Sequence, residues 1–265
     1  MQRLGRNRDR YEGETLEIRE VLREASAVAH AHGWREERLP CLPGLDLPAY
    51  VRAPSQAGGW TPRIYLSSGI HGDEPAGPLA AVEVMRRADL PPHAWLWCLP
   101  CLNPTGFPRN TRASAAGIDL NRDYRSPRSA EIQGHTQWLQ QQPLFDLTLC
   151  LHEDWEATGF YVYELNPGDR PSLAPALIDA VRDLCPIDLS PQIDGRDAQG
   201  GIIRPTIDPV DRPEWPEALY LLQHKTRLSY TLESPSDFPL KTRVEALVAA
   251  SLCALQAAAL PQGPT

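Results

Sequence analysis

The sequence predicts an α/β fold: a mixed β-sheet layered between helices, organised as a single domain over residues 1–265. Three observations carry this. Short apolar runs of strand length recur at 49–52, 62–67, 94–100, 146–151, 159–163 and 228–232, several rich in Tyr, Trp, Ile or Val. Helix-like stretches separate them, and that alternation places a sheet between layers of helix. A chain of 265 residues, 42% hydrophobic and 23% charged, is long enough and apolar enough to bury one large core.

The elements follow in order. Over 14–32, Ile18, Val21, Leu22, Ala25 and Val28 recur at helical period. After the strands at 49–52 and 62–67, a helix is expected over 75–88, with Pro75 in its first turn, where a missing N–H costs nothing. The strand at 94–100 precedes helices at 127–142 and 171–184, with the strands 146–151 and 159–163 between those two. The strand at 228–232 leads into a last helix, 240–258, with Val244, Leu247, Val248, Leu252 and Leu255 on one face. Segment 186–217 departs from the pattern. It is crowded with Pro, Gly and Asp and has no sustained period, so it reads as a lid or binding loop, or as a disordered insertion.

Composition narrows the function. With 26 basic and 34 acidic residues the net charge is −8, and no Lys/Arg block is present, which argues against nucleic acid as a partner. No apolar run approaches the ~20 residues of a membrane helix, so no membrane partner is expected. The first twenty residues lack the apolar core of a secretory signal, and a cytoplasmic location is expected. In such a reducing compartment the six cysteines (41, 98, 101, 150, 185 and 253) are free thiols. Cys98 and Cys101 form a C-x-x-C at a strand end. Three apart on a strand they face opposite ways, and without a second such pair they read as core residues.

The chemistry-bearing residues sit at strand ends. "SSGIHGDEPAG" places His71 and Glu74 three apart, one imidazole and one carboxylate suited to a divalent metal or simply to a polar turn. Catalytic zinc sites use three protein ligands and leave a position open. "FDLTLCLHEDW" offers His152 as a third, and crevices at strand C-termini are where α/β sheets bind ligands. Glu153 and Asp154 follow it and read as exposed acids, with Glu153 turned away from His152. The other five histidines have no comparable placement. Between these motifs, "NPTGFPRNTRASAAGIDLNRDY" carries spaced arginines and an Asn-Arg pair. A metal hydrolase needs such cations for an oxyanion and for an anionic substrate end. "RLSYTLESPSDF" closes a strand with Glu233, a candidate general base or a simple turn cap.

This ordered set resembles the zinc metallocarboxypeptidase superfamily over residues 60–235. The resemblance implies a zinc-carboxypeptidase-like fold and one zinc ion per chain, held by His71, Glu74 and His152. It implies Asn121 and Arg122 as the grip on a substrate carboxylate. Arg112 would polarise the scissile carbonyl, with Arg109 a poorer match, and Glu233 is the catalytic glutamate. It departs from many members in "NPTG", where they have an aspartate, and in "NRDY", where they have Asn followed by an aromatic. The mobile tyrosine of the superfamily has no clear counterpart, Tyr220 and Tyr230 both lying near Glu233.

"HGDE" is similar to two branches, the murein-peptide amidases and the succinylglutamate desuccinylase/aspartoacylase group. The second carries an extra β-rich domain after the catalytic glutamate, whereas the 32 residues after Glu233 read mostly as one helix. The expected activity is therefore cleavage of an amide bond next to a carboxylate, on a small peptide. Deacylation of an N-acyl amino acid is the alternative, and a non-catalytic binding protein the distant one. Segment 186–217 is expected to shape the pocket, and its acidic bias would favour a substrate amine.

Overall fold

Among the described residues, ten strands pair into one sheet in the order β1-β2-β4-β3-β5-β10-β6-β9-β8-β7. The strands are β1 (Arg35–Arg38), β2 (Pro48–Arg52), β3 (Arg63–Ser68), β4 (Trp95–Leu99), β5 (Leu147–Asp154), β6 (Tyr161–Leu165), β7 (Gln192–Ile193), β8 (Arg196–Gln199), β9 (Ile202–Ile203) and β10 (Ser229–Pro235). Helices α1 (Ile18–Ala31), α2 (Ala76–Arg86), α3 (Ala130–Gln141), α4 (Ala174–Val181), α5 (Glu217–His224) and α6 (Leu240–Ala259) complete the fold. This computed structural model describes residues 3–7, 10–40, 44–45, 47–56, 59–168, 170–206 and 212–260. Cys41, Asp208 and Asp211 lie outside the described residues.

β4, β3, β5 and β10 run parallel to one another, while β2 and β6 run antiparallel at their flanks. Parallel central strands need both faces covered, and the side-chain alternation supplies two apolar faces. On β3, Ile64 and Leu66 enter the cluster packed under α1, α2, α4 and α6, whereas Tyr65 enters the cluster under α3 and α5. On β5, Leu147, Leu149 and Leu151 face the first cluster and Cys150 the second. The order β4-β3-β5 means that the chain leaves β3 towards one side and returns on the other. A crevice therefore opens beyond the C-terminal ends of β3 and β5.

Each expected helix and strand forms, with ends shifted by a few residues. Segment 186–217 does more than the sequence suggested: β7, β8 and β9 extend the sheet beyond β6, and α5 begins at Glu217. The described cysteines are free, four buried and Cys253 half-buried. Cys98 and Cys101 enter one apolar cluster instead of facing apart, because β4 ends at Leu99. α6 is, by length and composition, apolar enough to cross a membrane, contrary to the expectation from sequence. Ala246, Leu247, Ala250, Ala254 and Leu255 are buried in the main cluster, so the helix is accounted for as a core element packed on α2 and α4.

A candidate metal centre at the strand ends

The residues that bear chemistry gather where β3, β5 and β10 end. After β3 the chain turns through Gly69, at φ +62°, and passes His71 and Glu74 before entering α2. Gly72 allows this turn to lie against the loop after β4: a Cβ there would fall 2.2 Å from the backbone carbon of Gly106. Gly72 N–H donates to Thr111 O (3.0 Å), and Asn103 Nδ2 donates to Ile70 O (3.1 Å) and Arg112 O (3.3 Å). Asn103, fully buried, thus fixes the His71 turn to the arginine loop.

His152 lies in β5 and pairs in register with Glu233 of β10, so both project to the same face. The donor atoms of His71, Glu74 and His152 lie within 4.8 Å of one another, and all three residues are buried. His71 Nδ1 contacts Glu74 Oε1, and His152 Nδ1 lies 3.0 Å from Glu74 Oε2. Two imidazole nitrogens and a carboxylate oxygen, facing one small volume, are a donor set that fits zinc. The electrostatics agree. Burial disfavours charge on His71, yet Glu74 and Asp119 outweigh it and raise its proton affinity above the ordinary value. Burial likewise opposes charge on Glu74, but the two histidines hold it well below the carboxylate range. An anionic field that attracts a proton to these atoms attracts a metal cation to the same place.

Asp119 was not singled out from sequence. Its Oδ1 lies 3.5 Å from His71 Nε2, the ring nitrogen turned away from Glu74, and its Oδ2 accepts from Arg112 Nε (2.8 Å). A carboxylate behind a ligating imidazole fixes its tautomer and orientation. Burial opposes charge on Asp119, but His71 and Arg112 win and lower it far below the usual range. Arg112 Nη1 lies 3.4 Å from His71 Nδ1 and 4.0 Å from Glu74 Oε1, with its side chain 46% exposed to the crevice. Arg109 instead donates to Ala115 O. Of the two arginines, the fold brings Arg112 to the site.

Asn121 and Arg122 form a short 3₁₀ turn after Asp119. Asn121 Oδ1 accepts from Glu217 N–H at the start of α5 (2.8 Å), so its amide NH₂ is the end left to donate elsewhere. Arg122 is exposed and lines the crevice, as Asn121 does. Glu233 lines it too, and burial, with Glu74 and Asp154 nearby, raises its carboxyl well above the ordinary value.

The crevice encloses about 580 Å³. Its far wall includes Tyr161 and Tyr163 of β6, with Asp194, Arg196, Arg212 and Glu214 from segment 186–217. That segment does line the crevice, but with two acids and two arginines, so the acidic bias does not carry over to the described wall. Tyr163 OH donates to Asp194, and Tyr161 OH donates to Asp154 (2.9 Å). Tyr220 and Tyr230 are core residues: Tyr220 packs against Tyr124 and His224, and Tyr230 OH donates to Glu164 (2.8 Å). Glu153 corrects a second expectation. It does turn away from His152, yet it is buried and ion-paired with Arg243 instead of exposed.

Residues 60–181 match the succinylglutamate desuccinylase/aspartoacylase catalytic domain family. No curated protein matches the chain. Among solved structures, an inferred metallopeptidase from Shewanella amazonensis is 26% identical, with TM-score 0.78, over 89% of this chain and 91% of that one. A second, from Shewanella baltica, is 26% identical with TM-score 0.78, over 95% and 96%. A metallo-carboxypeptidase from Burkholderia cenocepacia shares the fold at 20% identity and TM-score 0.67, over 91% of this chain and 68% of that one. The fold is shared with the metallo-carboxypeptidases, and the family match and the Shewanella metallopeptidases support a likeness to the zinc-carboxypeptidase-like superfamily.

Proposed function

We propose that this protein is a zinc-dependent hydrolase that cleaves an amide bond next to a substrate carboxylate, as a metallocarboxypeptidase or peptide amidase does. The observation that carries this is the meeting of His71, Glu74 and His152 within 4.8 Å at the strand ends, with Glu233 in register beside His152. These three residues would hold the ion, which when bound supplies a Lewis acid and lowers the pKa of its water. Glu233 takes the proton of the attacking water on its carboxylate and returns it to the amide nitrogen, so that a neutral amine leaves. Glu74 is committed to the ion and Glu153 to Arg243, which leaves Glu233 for this role. The Arg112 guanidinium, held by Asp119, faces the carbonyl oxygen as it gains charge. Arg122 pairs its planar fork with the neighbouring carboxylate, and Asn121, its carbonyl occupied by Glu217 N–H, donates from its NH₂.

A second reading is favoured by the wall opposite. Arg196 and Arg212 line the crevice with Arg122, and Arg212 is depressed by burial and by repulsion from these two neighbours. A substrate with a second acidic group would relieve that repulsion. N-acyl amino acids with acidic side chains or acyl groups have one, and the matched catalytic-domain family is named for such chemistry.

The test is metal analysis of the purified protein, with hydrolysis of C-terminal peptides, murein peptides and N-acyl amino acids, each as free acid and as amide. One zinc per chain and cleavage of free acids over amides is the expected result. Turnover confined to N-acyl amino acids selects the second reading. A zinc-loaded protein that hydrolyses none of them would be a binding protein.

A further inference from the structure

His152 and Glu153 are consecutive, and they serve opposite faces of the sheet. The Glu153 side chain is fully buried on the α2/α6 side. Its Oε1 accepts from the N–H of Ala76 (2.5 Å), the first residue of α2 and two residues past Glu74. One carboxylate therefore joins the end of β5, which bears His152, to the segment that bears His71 and Glu74. Its Oε2 meets Arg243 Nη1 and accepts from Ser236 Oγ (3.3 Å).

Arg243 is unusual in its own right. It lies in the first turn of α6, where the helix dipole disfavours a cation, and its side chain is 0% exposed. Anions must hold it there. Besides Glu153 it pairs through Nη2 with Glu14, and the Tyr11 ring lies 5.7 Å from its Cζ. Tyr11 and Glu14 belong to the segment preceding α1, which is further tied down at Asp237 by Arg3 Nε and by the N–H groups of Gly5 and Arg6. The hydrolytic chemistry uses none of these groups.

We propose that Glu153 and Arg243 are positioning residues for the metal centre, and that the segment before α1, through Tyr11 and Glu14, forms the outer half of the same brace. The proposal rests on the reading of His71, Glu74 and His152 as metal ligands. Those ligands come from two separate segments, and Glu153 spans them through Ala76 N–H. Arg243 Nη1 holds Oε2 of that carboxylate and so fixes the side chain whose Oε1 reaches the α2 N-terminus. Glu14 holds the other end of the guanidinium, Nη2. Loosening any member lets the two ligand segments move relative to one another.

Zinc affinity by chelator competition and the visible spectrum of the cobalt(II)-loaded protein read ligand geometry without reference to turnover. Arg243→Met and Glu153→Gln, with the wild-type circular dichroism spectrum, should bind zinc about 10–100-fold more weakly and show shifted cobalt bands. Arg243→Lys, which keeps the charge but cannot fork to both carboxylates, should recover part of the loss. Glu14→Gln, at the half-exposed end of the brace, should cost ~3-fold, and it decides the matter if both buried variants fail to fold. Wild-type affinity and bands in folded Arg243→Met, or in Glu14→Gln in that event, would overturn the brace and leave the metal reading standing. Wild-type affinity in His152→Ala would overturn the metal reading itself.

Discussion

The centre and the edge of the sheet furnish the same crevice with different things. β3, β5 and β10 lie side by side, buried on both faces, and they run into His71 and Glu74, His152 and Glu233 respectively. β9, β8 and β7 have two, four and two residues, and with the loops around them they bring Asp194, Arg196 and Arg212 to the opposite wall, half in solvent. Groups that need fixed geometry stand on strands whose register is over-determined by two apolar faces. Groups on the opposite wall, to which we assign substrate selection, stand where a side chain can change without disturbing a core.

The sharpest test of that division removes the proposed proton carrier at the centre. Glu233→Gln should keep the fold and the zinc but lose turnover by at least about 10²–10⁴-fold, measured as kcat on the best substrate of the panel. Near-normal kcat in the zinc-loaded variant would put the chemistry elsewhere. At the edge the effect should be smaller and selective. Arg196→Ala with Arg212→Ala should cost roughly 10–100-fold in kcat/KM on substrates with a second acidic group, the worth of one or two charge-assisted hydrogen bonds. The same pair should leave neutral substrates nearly unaffected. Equal losses on both would make the edge structural and erase the contrast.

The third effect is on stability at the centre. His135 of α3 is fully buried, with Nε2 3.0 Å from Tyr65 OH and Nδ1 2.7 Å from Tyr124 OH. Since Tyr65 donates to Glu217 (2.8 Å), His135 Nε2–H donates to Tyr65, while Nδ1 accepts from Tyr124, so the imidazole is neutral. Burial depresses its pKa from 6.5 to about 3. Between those values the unfolded chain binds a proton that the folded one refuses. Stability should therefore fall as pH drops below 6.5, with a limiting slope of about 1.4 kcal/mol per unit. Urea unfolding at pH 7, 6, 5 and 4 should show the decline, and His135→Gln should flatten it. An unchanged slope in that variant would assign the acid sensitivity to the carboxylates.

The central region was legible in the sequence because burial on both faces writes itself as a continuous apolar run, and a polar residue ending such a run stands out. His71, Glu74, His152 and Glu233 were singled out that way, and the order of the motifs pointed to Arg112, Asn121 and Arg122. The edge was not legible: a two-residue strand has no period, and "RDAQ" of β8 carries the composition of a loop. Asp119 was missed because its contacts with His71 and Arg112 arise only when the loop after β4 folds back on itself. Tyr161 and Tyr163 lay in an expected strand at the spacing that shares a face, but which face opens to the crevice depends on pairing with β10. Glu153 was misjudged because its partner, Arg243, is 90 residues away.

The tip of β5 works as a reading frame. Two adjacent letters, His then Glu, are read by two different layers of the protein, one imidazole into the crevice and one carboxylate into the arginine pocket behind it. Sliding the strand by one residue would exchange them, offering an acid to the crevice and an imidazole to a buried cation. The Thr148–Ser229 side-chain bond (2.8 Å) and the ladder to β3 lock that frame from within the core. Length changes between α3 and β5 must therefore bulge outward at residues 142–146, because β5 itself has no neighbouring register that keeps both readers satisfied.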